Sequence, residues 1–291
     1  MSSVAVLAIF RNESHILEEF ITHHLLLGIT KFYLINNAST DNFMPIIGKY
    51  AEHIELFYEP KVTNVDTLTE KGIQTVAYNK YLKKIVEPWA LICDVDEFFY
   101  TRRGYSFDDV VDYLERNNLS QLLIFLRNFA SGGIIKQPKE VRKSFTKRAI
   151  TTPSLRGITK ALVRVKDVVQ AHITMCKVKE GCLTTDSTLT MREYSFCRKD
   201  FADVRSPWNN KLRDVDEEYQ KDTFILCNHY TSQSKEWFFS VKAKRGIVYA
   251  ASTPLDDINK FWQERWDRIE KQPQVEDTEL IEWMDKYGCT N

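Results

Sequence analysis

An α/β fold built on a mostly parallel sheet is predicted by three observations. Strand-like and helix-like apolar patterns alternate through the first hundred residues, polar clusters fall at the ends of the apolar runs, and one run meets acids abruptly. The last of these is the most informative. Trp89-Ala90-Leu91-Ile92-Cys93 carries no charge and reads as a strand buried on both faces, after which come Asp94, Asp96 and Glu97. Carboxylates beside an apolar interior are costly unless something cationic compensates them, so acids at the carboxyl end of a core strand point to a bound metal. Period-2 spacing puts Asp94 and Asp96 on one face of a regular strand, where they can share an ion. Hard carboxylate oxygens suit Mn²⁺ or Mg²⁺. The plain alternative is a solvated acidic turn.

Taken in order, residues 4–10 are an apolar strand, and Arg11-Asn12-Glu13-Ser14 is a polar loop. Ile16, Leu17, Phe20, Ile21 and Leu25 then recur at helical spacing until Gly28 stops them. A second strand over 31–35 leads into Asn36-Asn37-Ala38-Ser39-Thr40-Asp41, small polar residues that can cap a helix and line a cleft. A weak helix to Tyr50, a strand near 54–58 and a helix over 69–86 deliver the chain to the acidic strand. In such a sheet ligands sit outside the carboxyl ends of the strands, where Arg11, Asn37, Asp41, Asp94 and Asp96 all fall. Ser106 caps a helix to Asn117, with Asp109 in the capping-box place. A strand over 121–126 ends at the loop Asn128 to Gly133. Residues 134–156, rich in Lys and Arg, read as a mobile surface loop. Strands follow near 160–165 and 168–173, then an apolar run 223–227 ending in Asn228-His229-Tyr230, then a helix over 232–244. Helices over 256–269 and 276–287 are expected to pack on the sheet.

The totals narrow the field. The 291 residues are 43% hydrophobic and 12% aromatic, enough for a sizeable core, and no repeat or linker divides them. A single domain 1–291 is expected, with a nucleotide-sugar half (1–105), an acceptor half (106–250) and closing helices (251–291). Forty Lys and Arg balance forty Asp and Glu, so no global field argues for nucleic acid. Six cysteines without a Cys-x-x-Cys pair read as reduced packing thiols, and residues 4–10 are too short to span a bilayer, which together give a cytoplasmic expectation.

The ordered set Arg11-Asn12-Glu13, His23-His24 to Gly28, Asn36 to Asp41, Gln74, Trp89 and Asp94-Val95-Asp96-Glu97-Phe98 resembles the GT-A glycosyltransferases, and most of all glycosyltransferase family 92 with its bacterial and viral relatives. Asn128 to Gly133, Lys160 with His172, and Asn228-His229-Tyr230 through Ser234, Lys235, Lys242, Arg245 and Gly246 are similar to that branch's later blocks, so the resemblance spans about residues 4–246. The loop after the second strand departs from it, beginning Asn36-Asn37 where an Asp is expected, and 174–222 has no counterpart.

The resemblance implies a GT-A, Rossmann-like sheet and a metal-dependent transfer of a sugar, with inversion, from a nucleoside-diphosphate donor (UDP favoured) to a hydroxyl of a glycan. A divalent ion on Asp96, with Asp94 on metal or ribose, would take up the charge of the departing diphosphate. It further implies His229 as the remaining protein ligand, Lys235, Lys242 or Arg245 on the diphosphate, and Arg11, Glu13, Asn37, Asp41, Gln74 and Lys160 around the donor. Each has a bland counterpart: a strand-end histidine is often merely hydrogen-bonded, and helix lysines are often a solvated face. His172 is placed in the acceptor or diphosphate pocket. A general base for the acceptor is sought among carboxylates and histidines, Glu193 and Asp186 being candidates, with Asp214 and Asp216 behind them. Two competing readings are a haloacid-dehalogenase-type phosphotransferase using Asp94 as nucleophile and a sugar-nucleotide or glycan-binding domain without catalysis.

Overall fold

A computed structural model of the chain describes residues 3–60, 72–151, 159–189, 216–245 and 255–288. The alternation read from the sequence is present: β1 (Val4–Phe10), α1 (Ser14–Leu26), β2 (Lys31–Asn37), α2 (Met44–Lys49), β3 (Ile54–Glu59), α3 (Gly72–Tyr81) and β4 (Trp89–Asp94). Then come β5 (Glu97–Thr101), α4 (Phe107–Arg116), β6 (Leu119–Asn128), α5 (Val141–Ser144), β7 (Lys147–Ala149) and β8 (Thr159–Arg164). Strands β9 (Val168–Gln170), β10 (Lys177–Val178) and β11 (Leu183–Asp186), helix α6 (Glu217–Gln220) and strand β12 (Ile225–His229) follow. The chain closes with α7 (Lys235–Trp237), α8 (Leu255–Glu270), β13 (Gln274–Glu276) and α9 (Glu279–Gly288).

The main sheet runs β3-β2-β1-β4-β8-β6-β12-β5, with β11 also on β6. β3, β2, β1 and β4 are mutually parallel, β8 is antiparallel to both its neighbours, and β12 is parallel to β6 and antiparallel to β5. The expected mostly parallel α/β sheet of the GT-A type is therefore what forms. Period 2 sorts β1 cleanly: Val4, Val6, Ala8 and Phe10 join the core under α1, α4 and α9, while Ala5, Leu7 and Ile9 face α3. Ser106 caps α4 through the anticipated reciprocal bonds with Asp109.

Several expectations change. The acidic run is two strands: β4 ends at Asp94, Val95 and Asp96 turn, and β5 starts at Glu97. Asp94 and Asp96 are thus not neighbours on one strand face. Because β5 lies at the far end of the sheet order while only two residues separate it from β4, the strands between must curl back on themselves, since two residues reach only about 7 Å. Residues 134–151 are no loose loop. Val141, Phe145 and Arg148 are buried, and β7 pairs with β13. The helix expected over 232–244 is one α-turn followed by a π-turn, Phe238–Lys242, and a 3-10 turn. Of the closing helices, α9 packs on the main core through Leu280, Trp283 and Met284, but α8 packs through Trp262 and Trp266 on Phe238. Cys93, Cys176, Cys182 and Cys227 are free thiols. Among the described residues no helix is long and apolar enough to cross a membrane.

Candidate active site

Strand register assembles the site. β12 lies between β5 and β6 so that His229 is opposite Glu97 on one side and Asn128 on the other. The Tyr230 amide donates to the Asp96 carbonyl at 2.9 Å and pins the turn between β4 and β5 beside them. The result is a group of three potential ligands, Asp96, Glu97 and His229, whose oxygen and nitrogen atoms lie within 4.8 Å of one another. His229 Nε2 is 3.5 Å from Asp96 and 3.8 Å from Glu97. Its Nδ1 is 3.0 Å from Asn128 Oδ1, and because an amide oxygen only accepts, Nδ1 is the donor and Nε2 is the nitrogen on the acids' side.

Glu97 is fully buried and uses its oxygens unequally. Oε2 accepts from the Asp94 amide at 3.0 Å and lies 3.2 Å from Lys160 Nζ, whereas Oε1 has no hydrogen-bond partner. Burial, partly opposed by Lys160 and reinforced by Asp94, pushes its pKa up to about 7. An orphaned buried carboxylate oxygen beside an imidazole nitrogen and a second carboxylate is a donor set that fits a divalent ion. Asp94 stands outside this group. Its oxygens accept from Gln74 at 2.8 Å, Tyr78 at 3.3 Å and Lys160 at 2.8 Å. Burial alone would lower the pKa of Lys160, but Asp94 and Glu97 together hold it above its ordinary value. Lys242, carried by the π-turn, reaches within 3.5 Å of Asp96 while donating to the Thr231 carbonyl at 2.5 Å.

The remaining residues singled out from sequence fall nearby or elsewhere. Arg11 and Glu13 follow β1, Asn37 is the last residue of β2, and Asp41 follows it. These two loops interlock: Asn12 Oδ1 accepts from the Thr40 amide at 2.7 Å, and the Ser14 amide donates to Asp41 Oδ2 at 2.7 Å, so Asp41 caps α1 from another loop. Asn12 and Ala38 take positive φ to do this. Arg11 Nε and Asp41 Oδ1 are buried without hydrogen-bond partners. Asn37 donates to the Pro60 carbonyl at 3.2 Å, and Glu13, nearly buried, accepts the first turn of α1 on its carbonyl. His172 is 3.2 Å from Thr174, whose carbonyl takes the hydroxyl of Thr159 next to Lys160, so its loop borders the site. Lys235 opens α7 and is exposed. Glu193 lies outside the described residues, as do Asp214 and the side chain of Arg245.

Sequence reasoning passed over Arg265. It sits on α8 among Glu264, Asp267 and Arg268, a mixture that looks like a solvated face. The signal that marks it is its position one residue before Trp266 and three after Trp262, both buried.

A mostly parallel α/β sheet carrying a cation-seeking acid pair and a histidine at one edge defines the GT-A class of protein. The chain belongs to glycosyltransferase family 92: that family's sequence model matches residues 2–225. A glycosyltransferase family 92 protein of Ricinus communis is 23% identical over 163 residues, a match covering 54% of this chain and 28% of that protein's length. Among solved structures, S. aureus TarS 1-349 in complex with UDP is 17% identical at a TM-score of 0.38, over 56% of this chain and 47% of that one. The glucosyl-3-phosphoglycerate synthase of Mycobacterium tuberculosis, solved with Mn²⁺, UDP and glucosyl-3-phosphoglycerate, is 13% identical at a TM-score of 0.30, over 43% of this chain and 44% of that one.

Proposed function

We propose that the protein is a metal-dependent glycosyltransferase that moves a sugar from a nucleoside-diphosphate donor, UDP being favoured by the family resemblance, to a hydroxyl of a glycan, with inversion. The observation that carries this is the triplet Asp96, Glu97 and His229, with a buried oxygen lacking any partner, at the carboxyl edge of the sheet in a family 92 chain. Two carboxylates and one imidazole favour Mn²⁺ over Mg²⁺, which usually keeps to oxygen ligands and water. When bound, the ion supplies Lewis-acid charge to the leaving diphosphate.

The chain's own residues do the rest. Asn128 fixes the His229 tautomer, and Lys160 holds the Asp94 and Glu97 carboxylates in one orientation. Asp94, saturated by Gln74, Tyr78 and Lys160, serves to place that lysine. Lys242 stands ready for phosphate oxygens once Asp96 has a stronger cation. Arg11, Glu13, Asn37 and Asp41 receive the nucleoside, with Lys235 and Arg245 further along the diphosphate. His172 and Glu193 are the side chains proposed to take the acceptor's proton.

The test is a thermal-unfolding screen of UDP and GDP sugars with Mn²⁺ or with chelator, followed by an assay for nucleotide release. A UDP sugar that raises the melting temperature only with Mn²⁺, and releases UDP when a glycan is added, supports the reading. Protection by none of the donors under either condition sinks it, and phosphatase turnover without any nucleotide sugar favours the Asp94-nucleophile alternative.

A further inference from the structure

Helix α8 brings a half-buried cation toward the site. Arg265 is half-buried, and its Nε is buried with no hydrogen-bond partner among the described residues. Its recorded neighbour is the Trp262 ring, 5.6 Å away. The charges acting on it are the repulsive Arg268 and the attractive Asp96, the latter a member of the acidic triplet. A buried guanidinium nitrogen without an acceptor is unfavourable, whereas the buried Arg127 and Arg148 are each met by carboxylates.

The middle and the last residue of the helix are tied to segments that carry the site. Trp262 and Trp266 pack on Phe238, the first residue of the turn that delivers Lys242. Glu270 takes the Ser131 amide at 2.9 Å and the Ser131 hydroxyl at 2.7 Å, three residues beyond the Asn128 that holds His229. A planar, permanently charged fork fixed in this way suits the oxygens of a phosphate.

We propose that Arg265 is a phosphate-binding residue of the donor site, holding the diphosphate of the nucleotide sugar. Helix α8, which lies beyond the 2–225 segment matched by the family, thereby completes that site. The identity of the ligand as a donor diphosphate rests on the glycosyltransferase reading; the anion site rests on the unpartnered Arg265 Nε and on the packing that ties α8 to the site.

The experiment compares the full chain with Arg265→Met, which keeps a stem to pack on Trp262, and with Arg265→Lys, which keeps the charge. Inorganic pyrophosphate and UDP are titrated calorimetrically, with Mn²⁺ and with chelator. Arg265→Met is expected to weaken both by about tenfold or more, as for loss of a charge-assisted hydrogen bond, with partial recovery in Arg265→Lys. Without ligand the Met variant should melt at the same temperature or higher, because it keeps the packing stem and removes a buried nitrogen that has no acceptor. Equal pyrophosphate and UDP affinity in the wild type and the Met variant overturns the proposal, as does a ligand-free melting temperature that falls while binding persists. If pyrophosphate binding depends on Arg265 but no sugar nucleotide binds with Mn²⁺, the anion site stands and the transferase reading falls. If Mn²⁺-dependent UDP-sugar binding is the same in both proteins, the transferase reading stands and Arg265 is a packing residue.

Discussion

Among the described residues, two of the clusters of buried charge differ in how completely their atoms are satisfied. In one, Arg102, Arg127 and Arg148 meet Glu217, Asp277 and Glu279, three charges against three. Arg127 contacts Asp277 at 3.0 Å and Glu279 at 2.7 Å, and Arg148 grips Glu217 with two nitrogens at 2.6 and 2.9 Å. In the other, Asp94, Asp96 and Glu97 meet Lys160 and Lys242, and the buried Glu97 Oε1 has no hydrogen-bond partner among the described residues. Burial is similar in the two, so burial does not separate a clamp from a site. Satisfaction does: the first cluster ties β6, β7, α6 and the start of α9 together, whereas the second keeps a buried carboxylate oxygen without a hydrogen-bond partner.

The largest expected effect comes from breaking the clamp. Asp277 is shared by Arg127 and Arg148, which keep Glu279 and Glu217, so Asp277→Ala leaves three guanidinium groups with two acids and should cost about 3 kcal/mol, read as a large fall in the thermal midpoint. Glu97→Gln should do the reverse. It keeps the side-chain volume and an acceptor for the Asp94 amide while removing an expensive buried charge, so the chelated protein should melt no lower than wild type, yet protection by Mn²⁺ should disappear. A Glu97→Gln protein that melts far below wild type with chelator, or that keeps its Mn²⁺ protection, would erase the distinction between the two clusters.

What the sequence made legible follows from the same division. The apolar runs of β1, β2 and β4, the stop at Gly28 and the Ser106 capping box are local patterns, and each appears where the pattern put it. The placing of polar clusters at strand ends was legible as well, because parallel strands carry all their carboxyl ends to one edge. The break between Asp94 and Asp96 was not, since it depends on β5 pairing with β12 more than a hundred residues later, a partner no local period reveals. Arg148 read as part of a basic loop because its acids, Asp277 and Glu217, lie far along the chain. Arg265 was hidden for a related reason: a charged residue on an amphipathic helix looks solvated until the helix's neighbour is known.

His24 probes the comparison from a third side, because its Nε2 is also buried without a partner although the ring lies on α1 among Phe20, Phe98 and Phe99. Here the group can stay neutral. Burial drives its pKa down to about 4, and that of neighbouring His23 well below its ordinary value, so neither needs a counter-ion. For a histidine depressed in the folded state the unfolded chain takes up the proton first. Stability is therefore level above the unfolded value near 6.5 and is lost as pH falls through the window from about 6.5 to 4. At pH 5.5 the loss from His24 should be about 1 kcal/mol. His24→Leu should flatten that part of the profile, and an unchanged profile would mean that the ring already finds a partner when protonated.

The smallest effect and the finest test belong to Asp41, because one carboxylate carries both signatures. Oδ2 is satisfied as the cap of α1, accepting from the Ser14 amide at 2.7 Å, while Oδ1 is buried with no partner. Asp41→Asn keeps an oxygen for the Ser14 amide and removes only the charge that favours a helix N-terminus, so the stability cost should stay below about 1 kcal/mol. If an unsatisfied oxygen marks a place where a ligand group arrives, the same change should weaken uridine and UDP alike and leave Mn²⁺ binding untouched, because Asp41 belongs to neither the triplet nor its lysines. Unaltered uridine affinity in calorimetry would restrict the rule to the acidic cluster, where a missing charge, rather than a missing hydrogen bond, is what the fold leaves to be filled.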